Sequence, residues 1–90
     1  MGRIKIEKFD KNRLKELGLD AWPIWEKEIS RFPWSYDEKE VCYILEGKAK
    51  VKTEDGEVVE FGPGDKVSFP KGLSCTWDIT SPIKKHYKFG

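Results

Sequence analysis

The chain has 90 residues and a mass of 10.5 kDa, and 38% of it is hydrophobic, including 4 Trp, 3 Tyr and 5 Phe. That length holds one domain, and so many rings supply a core that a disordered chain lacks. Its 17 Lys and Arg against 16 Asp and Glu leave a net charge of +1, which gives no reason to expect a nucleic-acid binder, because neutralising phosphates takes a net basic face.

The first residues, Met-Gly-Arg-Ile-Lys-Ile-Glu-Lys, hold no apolar stretch of the signal-peptide kind. No apolar run approaches the roughly 20 residues of a membrane span. Without an export signal, Cys42 and Cys75 are expected as reduced thiols rather than a disulfide. The expected location is the cytoplasm, with no membrane partner.

In chain order, the first element is a short helix. Asp10 suits its N-cap, Leu14 and Leu17 lie three apart on one face, and Gly18 suits its end. Trp22-Pro23 then breaks the local structure, and Ile24 to Phe32 alternates imperfectly, as a strand. Val41 to Leu45 is a short apolar run that Gly47 ends. Ala49, Val51 and Thr53 alternate with Lys48, Lys50 and Lys52, so one strand face is apolar and the other is a solvated cationic stripe. Glu54-Asp55-Gly56-Glu57 is a hairpin signal, because Asp-Gly accepts the positive φ angles of a tight turn. Val58 to Phe61 returns, and Gly62-Pro63-Gly64-Asp65 turns again. Lys66 to Phe69 is a further strand, followed by a turn at Pro70-Lys71-Gly72. Ser74 to Ile79 and Ile83 to Phe89 close the chain, joined through a turn at Thr80-Ser81-Pro82. Short strands and frequent turns after one helix indicate an antiparallel sandwich or barrel.

Two segments carry more information. One runs Trp34-Ser35-Tyr36-Asp37-Glu38-Lys39-Glu40, then six residues, then Gly47. The other is Gly64, five residues, Pro70-Lys71-Gly72, two residues, Cys75. Together they resemble the two ordered motifs of the cupin superfamily, with the spacing intact. Phe32-Pro33-Trp34, Tyr43-Ile44-Leu45-Glu46-Gly47, Phe69-Pro70-Lys71-Gly72, Trp77 and Lys85-His86-Tyr87 extend the likeness. The wider pattern looks like the small single-domain cupins related to ureidoglycine aminohydrolase and an ethanolamine-utilisation protein, over roughly residues 20 to 88. The resemblance implies an all-β fold, a small cupin β-barrel of jelly-roll-like antiparallel strands with a short N-terminal helix. Residues 1–19 would form an N-terminal strand and helix extension, and residues 20–90 the cupin β-barrel. It also implies a homodimer.

A metal-binding cupin supplies two His and a Glu from the first motif and a His from the second. Here the two His positions fall on Trp34 and Tyr36, or on Pro33 and Ser35. Cys75 replaces the second-motif His, and Ile79 replaces an Asn that often follows. Only Glu40 keeps the family's ligand chemistry, so no cofactor is expected. The one alternative metal set is Glu40, Cys75 and His86. Strand parity argues against it: if Ile83, Lys85, Tyr87 and Phe89 face the interior, His86 points out.

Parity also assembles a pocket. Glu40, Cys42 and Ile44 share one face, and Cys75, Trp77 and Ile79 share another. The family geometry turns both inward, with Trp34, Tyr36 and Tyr87 at the same mouth. A mostly apolar site with a few polar groups suits a small organic ligand. Trp34, Tyr36, Cys42, Trp77 and Tyr87 are the candidate ligand-binding residues. Glu40 is the candidate acid or base, Lys85 its electrostatic or ion-pair partner, and Cys75 a pocket wall or nucleophile. Trp22 and Trp25 are expected to pack the N-terminal segment against the barrel. Two functions stay open: an enzyme acting on a small polar metabolite, and a non-catalytic cupin that binds a small ligand and has lost the metal site.

Overall fold

A computed structural model describes residues 4–90, and among these, seven strands join in one antiparallel sheet. The elements are β1 (Lys5–Lys8), α1 (Lys11–Glu16), a 3-10 turn (Leu19–Ala21), β2 (Ile24–Lys27), β3 (Ser30–Ser35), β4 (Glu40–Thr53), β5 (Val58–Phe61), β6 (Asp65–Phe69) and β7 (Ser74–Phe89). Asp10 caps α1 as expected, its Oδ1 accepting the Arg13 N–H at 2.8 Å. Gly18 then takes φ +72° and leads into the 3-10 turn. That turn buries Leu19 beside Leu14 and leaves Leu17 exposed, so the expected Leu14–Leu17 face gives way to Leu14–Leu19.

The two longest strands form the spine. They pair from Glu40 opposite Phe89 to Thr53 opposite Cys75. The first part of β4 also pairs with β6 and the last part with β5. The first part of β7 also pairs with β3 and the last part with β2. Between these parts the register shifts repeatedly, from Ile44 to Ala49. Such irregularities bend a strand and increase its twist. The signals at Gly47 and Thr80-Ser81-Pro82 are therefore bends within long strands, not the chain reversals expected of them. Gly47 is required there: its φ is +87°, and a Cβ would lie 1.9 Å from the Pro82 carbonyl oxygen. The single strand expected over Ile24 to Phe32 is two strands, parted at Glu28, whose carbonyl accepts the Ser30 hydroxyl at 3.0 Å.

The bends bring rings from different strands together. Phe69 of β6 lies 5.5 Å from Trp77 of β7 and 4.9 Å from Tyr36, which follows β3. Phe61 of β5 lies 5.3 Å from Trp77. Each such pair adds about 0.5–1.5 kcal/mol beyond its buried area. Ile44, Val51, Val67 and Ile79 complete a core without solvent contact.

The N-terminal segment covers the other face of β4 and β7. Tyr43 packs with Leu14 and Leu19 and donates its hydroxyl to the Phe9 carbonyl at 2.8 Å. His86 Nδ1 lies 2.8 Å from the Trp22 carbonyl oxygen. His86 thus faces away from Lys85, as parity requires, but it is buried rather than directed to solvent. Lys48, Lys50 and Lys52 are exposed, in keeping with a solvated stripe.

Candidate functional site

Glu40 opens β4, and Lys85 lies near the end of β7 on the same inner face. Their side chains, 6% and 5% exposed, meet with Nζ to Oε2 at 3.2 Å. The Lys85 ammonium also lies 4.9 Å from the Trp25 ring centroid and 4.7 Å from that of Trp77. Each ring face attracts the cation, by about 0.5–2 kcal/mol. A buried carboxylate and two indoles therefore hold one buried ammonium.

Trp77 links this pair to Tyr36. Its indole N–H donates to the Tyr36 hydroxyl oxygen at 3.1 Å. Backbone bonds fix Tyr36 in turn: its N–H donates to the Leu73 carbonyl at 2.9 Å, and its carbonyl accepts the Gly72 N–H at 2.7 Å. Burial, and then the negative charge of Glu40, push the Tyr36 phenol far above its usual range. Tyr36 is therefore an uncharged hydroxyl at neutral pH. With its oxygen accepting from Trp77, its proton is left to donate elsewhere.

These groups border an open cavity of about 720 Å³, within the size range of small-molecule sites. Phe32 forms part of its wall, parallel to Trp77 at 6.2 Å between centroids. Trp34 stands at the mouth, 48% exposed, and meets Tyr36 edge-on at 6.4 Å. Phe89 borders the opening and is 44% exposed.

Glu40, Lys85, Trp34, Tyr36, Trp77 and Tyr87 all border this cavity, and the two cysteines do not. Cys42 has no exposure at all and belongs to the core. Cys75 Sγ lies 3.6 Å from the Trp34 carbonyl oxygen. Burial pushes the Cys42 thiol up to about 12, with the Lys85 charge opposing the rise and the Glu40 charge adding to it. Burial and the charge of Glu40 push Cys75 up to about 11. A nucleophilic cysteine needs the thiolate. The expectation that these thiols line the pocket, and that Cys75 attacks from it, is corrected accordingly. Trp25 is corrected too: it lies on Lys85 in the cavity, whereas Trp22 does pack the N-terminal segment. Sequence reasoning also missed Phe32 and Lys27. Their signal was the two-residue period, which puts Trp25 and Lys27 on one face of β2 and Phe32 in step with Trp34.

The family's metal does not fit these residues. His86 faces the N-terminal segment, Cys75 lies outside the cavity, and the Lys85 ammonium holds the Glu40 carboxylate where a cation would bind. Among the described residues, no three His, Cys, Asp or Glu side chains form a metal-holding cluster.

The model of the EutQ-like cupin domain matches residues 14–87. The chain belongs to the EutQ-like cupin family. A DUF861 family protein from Thermotoga maritima is 53% identical to it. The match covers 98% of this chain and 100% of that one, with a TM-score of 0.93. The EutQ protein of Clostridium difficile is 17% identical, covering 96% of this chain and 66% of its own, with a TM-score of 0.68. The second likeness concerns the fold alone. No curated protein matches the chain.

Proposed function

We propose that this EutQ-like cupin binds a small organic molecule between the cavity rings and the Lys85–Glu40 pair. The observation that supports this reading is the meeting of three polar groups at the buried end of an aromatic wall. They are the remaining N–H groups of Lys85, the Tyr36 hydroxyl proton and the Glu40 oxygen not bonded to Lys85. A few fixed polar groups in an apolar concavity orient a ligand while the rings hold its body. Trp34, Trp77 and Tyr87 contact the ligand, with Trp25 and Phe32 beside them.

Catalysis is the second reading, and Glu40 favours it. A carboxylate beside a phenol and an ammonium can move a proton to or from a bound molecule. Native mass spectrometry with a set of small polar and aromatic compounds tests both readings. A saturable one-to-one complex is expected. Product that disappears in Glu40→Gln while the complex persists marks an enzyme. A complex without product marks a binding module, and no complex with any compound contradicts both.

We also propose a homodimer. β1 and β2 are the free ends of the strand order, and Ile24 and Ile29 are exposed in and just after β2. Light scattering at micromolar concentration should give twice 10.5 kDa; a monomer contradicts it. Among the described residues, no helix is long and apolar enough to cross a membrane. We place the protein in the cytoplasm, as a reading to be tested by fractionation.

A further inference from the structure

We propose that Lys85 condenses with the carbonyl group of a small uncharged aldehyde or ketone bound in the cavity, giving an imine; this rests on the binding reading above. The charges on the lining point to an uncharged ligand. Glu26 and Lys27 stand at the wall, and Glu40 and Lys85 at the buried end. Two carboxylates thus balance two ammonium groups, and neither sign is left for a ligand to neutralise. What the buried end does offer is an amine. Lysines that react with carbonyl compounds are characteristically buried ones. The Lys85 side chain is 5% exposed and borders the cavity. Lys27 borders it as well but is exposed to solvent.

The neighbours of Lys85 can move each proton the reaction requires. Glu40 Oε2, 3.2 Å from Nζ, takes a proton from the ammonium and leaves a free amine. The nitrogen lone pair attacks the carbonyl carbon; the C–N bond forms and the π pair moves to oxygen. The Tyr36 hydroxyl suits that oxygen. It accepts from the Trp77 N–H at 3.1 Å, which leaves its own proton to donate, and the Trp77 ring centroid lies 4.7 Å from Nζ. A proton then passes from nitrogen to oxygen. Glu40 returns its proton to the new hydroxyl, the C–O bond breaks and water leaves. The products are a protonated imine, a water molecule and the restored carboxylate, with nothing oxidised or reduced. The positive charge stays on the same nitrogen, near the Trp25 and Trp77 rings and beside Glu40. The groups that hold the ammonium therefore hold the product as well.

Benzaldehyde is the probe, with sodium cyanoborohydride to reduce the protonated imine to a stable benzylamine. The full chain is treated for set times, and mass spectrometry of its peptides gives the benzylation rate of each lysine. Lys52, exposed and outside the cavity, is the internal reference. Lys85 should be benzylated at least about tenfold faster than Lys52, a modest share of what positioned acid and base groups contribute. Benzyl alcohol has the same ring but forms no imine. Followed through the indole N–H signals by NMR, it reads binding alone. A smaller preference for Lys85, with the indole signals still shifted by benzyl alcohol, overturns the imine and leaves the binding reading standing. A smaller preference with no shift from either compound overturns both.

Discussion

Lys85 and Glu40 meet at 3.2 Å with almost no solvent contact, joined from the two strands that form the spine of the sheet. Taking two charges out of water is costly, and only their mutual attraction and good partners offset it. The partners here are the Trp25 and Trp77 rings on the ammonium.

Removing one member leaves the other buried and unpaired. Lys85→Met or Glu40→Leu alone should lower the unfolding free energy by about 3–5 kcal/mol. The double variant should recover most of that loss, because two apolar side chains bury no charge. Urea denaturation of the four proteins checks it. Additive losses would show that the pair is not coupled.

Tyr36 and Trp77 make a similar test for the neutral part of the site. Tyr36→Phe keeps the ring on Phe69 but leaves the buried Trp77 N–H without its acceptor. The expected loss is about 1–3 kcal/mol. Thermal denaturation measures it, and an unchanged midpoint would place no stability in that bond.

Gly47 and Gly56 share positive φ angles, +87° and +93°, but not surroundings. A Cβ at Gly47 meets the Pro82 carbonyl oxygen at 1.9 Å, and at Gly56 it meets nothing within 4 Å. Gly56→Ala should cost about 1–2 kcal/mol, the backbone strain alone. Gly47→Ala should cost more than about 4 kcal/mol, because backbone must move. Equal losses in denaturation would mean that the bend is not fixed by this contact.

The thiols give a pH dependence. Folding raises Cys75 from 9.0 to about 11 and Cys42 from 9.0 to about 12. A folded value above the unfolded one means stabilisation that is whole below pH 9 and is lost as pH rises through the folded value. Stability should thus fall from about pH 9 toward pH 12. The Cys42→Ala, Cys75→Ala double variant should show a shallower fall between pH 8 and pH 10. At neutral pH both thiols should resist iodoacetamide in the folded protein and react on unfolding. Rapid alkylation of Cys75 at pH 7 would contradict the burial argument.

Much of the site was legible because strand parity is strict. Parity puts Lys85 and His86 on opposite faces of their strand, and the cupin resemblance, not the period, implies that the Glu40 and Lys85 faces turn into one pocket. Parity says which face a side chain takes but not what covers that face. His86 and Tyr43 are buried because the N-terminal segment lies over them. The resemblance likewise implies that the Cys75 face turns inward, without saying that the Trp34 backbone lies against the thiol. Gly47 and Pro82 read as turns because the same residues mark chain reversals and strand bends. Only the long pairing of β4 with β7 separates the two. The place of Trp25 is hidden because Ile24 to Phe32 alternates imperfectly and does not mark the break between β2 and β3.

The most direct test of the central claim uses the four tryptophans as internal controls. Trp25, Trp34 and Trp77 border the cavity, and Trp22 packs on the opposite side of β7, over His86. In a nitrogen-proton NMR titration with a set of small organic compounds, at least one should shift the first three indole signals saturably and leave Trp22 in place. No saturable shift with any compound, or shifts led by Trp22, would contradict a ligand site at the Lys85–Glu40 pair.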